Sequence, residues 1–509
     1  MTSRPTAGTT SGPPPGPGEG ADVVLSYADA RGRWVLLATV LGSAMASIDA
    51  TVVGIALPAI GRDYGTGLTT LQWVVTAYTL TLAGLLLVAG ALGDRYGRRR
   101  LFVVGTVWFA LASVLCGVAP NAPVLVAARA LQGVGAALLA PGSLAILEAS
   151  FRPEDRGRAI GAWSGLSGVA TAVGPFLGGL LVQAASWRLI FAINLPVAVA
   201  VVVVARRYVP ESRDPAATGP VDTVGATLIA TGLAGLSYGL IEGPARGWDS
   251  PAVLVTLVGG ALLTGAFVAW ERRTAAPMLP LGLFSSAAFT ATNVVTFILY
   301  GALSGVMFLL PLQLQQVSGY TALEAGVSLL PATALMLVLS ARSGSLATRI
   351  GPRPQMSLGP VLVGLGMLLF LRVGRTGDYV TEVLPAVVVF GFGLAATVAP
   401  LTATVLAAAP ARHAGMASAV NNDVARAAGL VAVAVLPAAA GITSAAYADP
   451  ARFSAGFHTA SLICAGLCVA AGALSAVALR GPRPAPAGPP ARHRLHCPLD
   501  APPAQGREP

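Results

Sequence analysis

The chain has 509 residues, of which 55% are hydrophobic and 11% charged, and a formal net charge of +10. A soluble domain carries about 25% charged residues, and so few charges could not cover a water-exposed surface. The basic residues are all arginine and fall largely in loops between apolar runs, which fits the positive-inside distribution of a membrane protein and argues against nucleic acid as a partner.

Residues 1–30, rich in Gly, Pro, Ser and Thr, are expected to form a disordered tail. No short apolar stretch with a cleavage site lies near Met1, so the first apolar run reads as a span and not a signal peptide. Apolar runs then predict helices over 34–58, 69–92, 101–119, 123–147, 158–182, 189–208, 222–242, 251–270, 287–313, 322–348, 356–373, 380–408, 413–439 and 458–480. Each approaches the ~20 residues that cross a hydrocarbon core. Residues 481–509, rich in Pro, Ala and Arg, form a second expected tail. The predicted fold class is an all-α polytopic membrane protein of fourteen spans.

The loops after even-numbered runs hold sixteen arginines and those after odd-numbered runs six, which puts the even loops and both termini in the cytoplasm. Gly344-Ser-Leu-Ala-Thr-Arg-Ile-Gly-Pro-Arg353 repeats the spacing of Gly90-Ala-Leu-Gly-Asp-Arg-Tyr-Gly-Arg-Arg99, with Thr348 where Asp94 stands. The two copies follow the second and tenth runs. The expected organisation is therefore two six-helix bundles, 31–210 and 276–480, joined by two extra helices within 211–275. Parallel repeats of this kind suit transporters that rock about a midplane site.

In the loop after the second run, Gly90 and Gly97 permit close helix approach and a sharp turn. Asp94 can accept charge-assisted bonds from Arg95, Arg98 or a helix N-terminus; the loop reads either as a cytoplasmic latch between the bundles or as an ordinary basic loop. Arg129 lies inside an apolar helix with Gln132 three residues on, on the same face, and an intramembrane charge is a functional-site candidate; a snorkelling arginine is the alternative. Asp49 lies about 22 Å into the first span and Arg129 about 9 Å below the opposite surface, so both sit at about one level. A carboxylate there is driven neutral by burial and ionised by an arginine, the tension that a proton-coupling site needs. Their adjacency is not legible in the sequence.

Gly174-Pro175 removes a helical hydrogen bond in mid-span, and Gly178-Gly179 lets another helix approach. Trp187 and Arg188 read as an interfacial anchor. Asp423 and Arg426, three apart, share a helix face and can neutralise each other, beside Asn421 and Asn422; this segment is either a cavity wall or an internal packing pair. Glu324 can be explained by a helix N-terminus alone, with a functional carboxylate as the alternative. Cys116, Cys464, Cys468 and Cys497 show no zinc spacing with the histidines and read as small apolar residues. No metal site or Ser–His or Cys–His catalytic arrangement is expected.

Taken in this order, Asp49–Pro58, Gly90–Arg100, Arg129–Gly135, Gly174–Gly179, Trp187–Pro196, and Gly319-Tyr320 before Ala325-Gly326 resemble the fourteen-span drug–proton antiporter family of the major facilitator superfamily. The resemblance covers residues 33–480. It implies efflux of hydrophobic, often cationic or antibiotic-like compounds driven by inward protons, with the proton gradient and no cofactor as energy source. It makes Asp49 the first-helix carboxylate, Asp94 the loop aspartate, Arg129 the fourth-helix arginine, and Gly174-Pro175 the antiporter kink. Gly54, Ala170 and Thr348 depart from the family's usual residues. The expected partners are the lipid bilayer, protons and a small hydrophobic or cationic substrate, and nothing in the sequence tests an accessory export partner. The competing readings are a dedicated exporter of one endogenous metabolite, such as a self-made antibiotic, and a nutrient–proton symporter.

Overall fold

The computed structural model describes residues 25–214, 221–274, 277–409 and 414–479. Among these residues fourteen helices are long and apolar enough to span a membrane: α1 Ala30–Tyr64, α2 Leu68–Tyr96, α3 Arg98–Gly117, α4 Ala122–Ser150, α5 Pro153–Ala184, α6 Leu189–Tyr208, α7 Thr223–Arg246, α8 Pro251–Glu271, α9 Ala287–Gln316, α10 Ala322–Ile350, α11 Pro352–Arg372, α12 Tyr379–Ala407, α13 Gly415–Ala439 and α14 Pro450–Ala478. Helices are the natural form here, because a spanning segment must satisfy its backbone internally. Leu111, Val199, Val255, Leu262, Leu358 and Val477 are 63–70% exposed, an arrangement that lipid tolerates and water would penalise.

Most helices outrun the apolar runs that announce them, since their polar ends continue past the hydrocarbon. The largest difference is α14, which starts at Pro450 and not at 458. Asp449 caps it, accepting from the amides of Ala451 (2.8 Å) and Arg452 (3.3 Å), with Pro450 in the first turn. His458, expected at a helix end, therefore lies two turns inside. Residues 25–29, expected to belong to the tail, are ordered. Leu25 N donates to Ser150 O (2.8 Å), Arg152 N to Leu25 O (3.1 Å), and Tyr27 N to Asp155 (2.9 Å). The remaining expected tail residues, 1–24 and 481–509, lie outside the described residues.

In the first half α3 and α2 pack on α4, α1 packs on α5 and α6, and α3 on α6. Adding eight to each number gives the second half: α11 and α10 on α12, α9 on α13 and α14, α11 on α14. The two halves are thus one bundle used twice. The repeat extends to the backbone, since Gly97 (φ 116°) and Gly351 (φ 83°) both turn through a conformation that side chains disfavour. Across the halves α5 meets α10 and α2 meets α13, contacts that exchange under the same two-fold relation. The added helices α7 and α8 pack on each other, and α7 lies along α2 and α13, covering that seam.

A cavity of about 1170 Å³ lies between α1, α2, α4 and α5 on one side and α13 on the other. It runs to the end carrying the α2–α3 loop, where Asp94, Arg98, Asp222 and Pro277 rim it. The opposite end is sealed across the halves. Gln72 Nε2 donates to Val433 O (2.7 Å) and Gln315 Nε2 to Ile55 O (2.9 Å).

Candidate functional site

Asp49, Arg129 and Gln132 form one buried network. Arg129 Nη1 donates to Asp49 Oδ2 (2.5 Å) and to Gln132 Oε1 (2.5 Å), and Arg129 Nε donates to Val74 O (3.1 Å). Asp49 Oδ1 accepts from Gln132 Nε2 (2.7 Å) and Asn194 Nδ2 (3.2 Å). Ser113 Oγ accepts from both of these amides, at 2.8 and 3.2 Å. The guanidinium also lies 4.3 Å from the Tyr78 ring centroid. The Asp49 and Arg129 side chains are each 1% exposed. Such a pair is tolerated only when its remaining hydrogen-bonding capacity is met, and here Asp49 Oδ1 has two partners, Oδ2 has Arg129, and the guanidinium has three acceptors. Arg129 is buried, not snorkelling.

The network joins α1, α2, α3, α4 and α6 of one bundle and lies just behind the cavity wall. Ala46, Ala50 and Tyr78 line the cavity, while Asp49 and Arg129 stand beneath them. Tyr78 is the lid of the site, packed on Arg129, with its hydroxyl toward Ala46 O (3.4 Å). Asn194, Ser113 and Tyr78 were not singled out by sequence. The only signal was a lone polar or aromatic residue in an apolar helix, and its value depends on which neighbours it meets.

The glycines of α5 face two ways. A β-carbon on Gly174 would collide with Thr51 Oγ1, and one on Gly178 would lie 3.0 Å from Val52 Cγ1, both on α1. One on Gly179 would lie 2.7 Å from Leu323 Cα on α10, and one on Gly326 of α10 would lie 2.8 Å from the carbonyl carbon of Pro175. Gly178 and Gly179 therefore serve different helices, one within the bundle and one across the halves. α5 continues as helix through Pro175.

In the α2–α3 loop Asp94 pairs with Arg98 at 2.8 Å, and Arg98 also reaches Ala145 O (3.5 Å) on α4. Arg95 lies 5.5 Å from the Tyr96 ring centroid. Arg99 N donates to Glu211 (3.1 Å), Arg98 N to Ser212 O and Asp214 N to Asp94 O, both at 3.0 Å. The described contacts of Asp94 thus stay within the first bundle and the segment after α6; in this conformation it does not bridge the halves. Gly97 makes the turn that its sequence position suggests. Gly90 does not mark a close approach, because a β-carbon there would meet only Pro141 at an ordinary 3.8 Å.

Two other expectations change. Asp423 and Arg426 form no ion pair within 4 Å among the described residues, and Asp423 Oδ1 and Arg426 Nε are buried without a hydrogen-bond partner. Arg426 and Asn422 line the cavity, whereas Asn421 turns to Asn293 (3.1 Å) and Thr296 (2.8 Å) on α9. Trp187 is 4% exposed and not a lipid-facing anchor. Its indole donates to Asp63 (3.0 Å), which also pairs with Arg188 (2.7 Å) at the sealed end. Glu324 closes a capping box with Thr321 at the start of α10. Among the described residues no group of three or more His, Cys, Asp or Glu could hold a metal ion.

Comparison with known proteins agrees with this architecture. The chain is 37% identical over 388 residues to the multidrug resistance protein Stp of Mycobacterium tuberculosis, covering 76% of this chain and 72% of that one. It is 36% identical over 414 residues to the tetracenomycin C resistance and export protein of Streptomyces glaucescens, covering 80% and 76%. Its fold matches a crystal structure of a POT family transporter in complex with a thioalcohol-conjugated peptide, with TM-score 0.65 and 14% identity over 88% of this chain and 97% of the other. Residues 39–434 match the sequence model of the Major Facilitator Superfamily. With fourteen spans, duplicated bundles and relatives that confer multidrug or antibiotic resistance, the chain belongs to the major facilitator superfamily.

Proposed function

We propose that this protein is a proton-coupled exporter of small hydrophobic, antibiotic-like compounds, working by alternating access in the cytoplasmic membrane. The observation that carries the coupling is the buried Asp49–Arg129 pair one side chain behind the cavity wall. Protonating Asp49 removes the ion pair, yet Arg129 keeps Gln132 Oε1 and Val74 O as acceptors. Proton arrival thus changes the tie of α1 to α4, leaving Arg129 its neutral hydrogen-bond acceptors but no counter-charge, an imbalance that favours rearrangement. Asp49 is two residues from Thr51, on which Gly174 of α5 packs, and α5 touches α10 through Gly179 and Gly326. This gives a contiguous mechanical route from the proton site to the seam between bundles 31–210 and 276–480.

The arginine asymmetry supports a cytoplasmic assignment for the α2–α3 end and both termini, so the cavity described above faces inward, ready to load. In that state Asp94 and Arg98 are held within one bundle; the latch across the halves would form when the cavity closes. Asp423 and Arg426 belong to the substrate half of the cycle. The proton gradient is the energy source in this reading, with no organic cofactor or metal. A dedicated exporter of one antibiotic is favoured as the second reading by the tetracenomycin C relative.

The test is transport of a panel of antibiotics and lipophilic dyes into everted vesicles, with a pH gradient imposed and then collapsed. Wild type should accumulate substrate only while the gradient stands, and Asp49→Asn should abolish that dependence. Equal, gradient-driven transport by both would remove Asp49 from coupling. Transport of a single compound class would select the dedicated exporter.

A further inference from the structure

The inner wall of the cavity carries one charged side chain, and it is positive. Gln72 and Val433 join at the seal; Tyr78 is six residues below the first and Arg426 seven below the second, so both stand about 9–11 Å inside it. They face each other from α2 and α13 across the closed end of the cavity. The other charged wall residues, Asp94, Arg95, Arg98, Glu148, Asp214 and Asp222, lie toward the mouth. Asp49 is sealed behind Tyr78 and already engaged by Arg129, and Asp423 makes no ion pair with Arg426. Arg426 Nε is a buried donor with no acceptor, in a chamber whose inner wall is otherwise uncharged and includes Tyr78, Asn422 and Trp163 beside Ala, Leu, Ser and Thr. A guanidinium left in this state favours an incoming carboxylate, sulfonate or phenolate, which it can hold through charge-assisted bonds. An incoming cation would meet repulsion, offset only in part by Asp423, which lies within electrostatic reach of Arg426 but off the cavity wall. Trp163, fixed by its indole bond to Ser43 (3.0 Å), offers an aromatic surface on the α5 side.

We infer that Arg426 is the anion-binding group of the substrate cavity, and that the compounds bound there are amphipathic aromatic acids or phenolates, not lipophilic cations. This rests on the export reading for its physiological meaning, though the binding site itself can be tested apart from it. Fluorescein and rhodamine 123, xanthene dyes of similar size and opposite charge, are titrated by fluorescence anisotropy onto the full chain in lipid nanodiscs, with empty discs as blank. Wild type should bind fluorescein more tightly than rhodamine 123. Arg426→Gln should weaken fluorescein about tenfold or more with little change for rhodamine 123, and Arg426→Lys should fall between. Should the glutamine variant fail to fold, Asn422→Asp, at a cavity-exposed position one turn away, should weaken fluorescein and strengthen rhodamine 123. No fluorescein binding above empty discs, a preference for rhodamine 123, or a dye ratio unmoved by these substitutions overturns the assignment. Fluorescein binding without export from vesicles would leave the assignment standing and overturn the export function; export of rhodamine 123 without fluorescein binding would do the reverse.

Discussion

Asp49 and Arg129 are 80 residues apart in sequence and 2.5 Å apart in space, and each makes the other tolerable. Removing one partner of such a buried pair costs about 3–5 kcal/mol, because an uncompensated charge stays in low dielectric. Arg129→Leu should therefore markedly lower the melting temperature of the purified protein. Adding Asp49→Asn to it should restore part of the loss, and strict additivity would show that the pair is not coupled. Gln132 holds Asp49, Arg129 and Ser113 together. Gln132→Leu should leave substrate binding in place and impair gradient-driven transport, which a comparison of dye binding with vesicle uptake resolves. These residues were legible singly as polar intrusions into apolar helices. Their assembly was not, since depth estimates bring two side chains to one level and say nothing about rotation around each helix.

At the scale of elements, small residues decide which helices touch. Gly179 and Gly326 let α5 and α10 meet backbone to backbone across the halves. A leucine at Gly179 has no space unless the helices part. Gly179→Leu should therefore bias the protein away from this sealed state, read as faster maleimide labelling of a cysteine at Thr51 from the Asp63 side, with loss of transport. Unchanged labelling would mean that the seal does not depend on this contact. Helix ends follow local rules. Asp449 is held below the ordinary carboxylate range by the amides of Ala451 and then Arg452. A depressed carboxylate contributes its stability above its ordinary value and loses it as pH falls toward the folded one. Protection against hydrogen exchange at the first turn of α14, taken relative to the intrinsic rate at each pH, should thus fall on acidification in this range, and in Asp449→Ala at neutral pH, where acid should add nothing further. The cap was missed in the sequence because Arg452, Ser454 and His458 look like loop, although Asp-Pro is a helix-start signal.

For the molecule as a whole, the packing of one bundle recurs in the other, and the two meet in exchangeable seams with α7 and α8 laid over one of them. An alternating-access cycle has to exchange the glutamine seal at the Asp63 end for a closure at the Asp94 end. Gln72→Ala combined with Gln315→Ala should shift that balance toward opening at the Asp63 end, with a larger effect together than either alone; accessibility of an Ala50→Cys probe from each side measures it. The sequence by itself determined the solvent, the span count, the duplication and the expected sidedness, because each follows from composition, from the length needed to cross lipid, or from residues close in the chain. It also named Asp49 and Arg129, because a charge inside a span is conspicuous. Only the tertiary structure decided that these two are paired behind Tyr78, that Trp187 turns inward to Asp63, and that Arg426 faces a cavity while Asp423 does not satisfy it. Those outcomes depend on the rotation and register of helices far apart in sequence, set jointly by close-packing glycines and by the cost of burying a charge without a partner, which Asp49 and Arg129 escape and Arg426 does not.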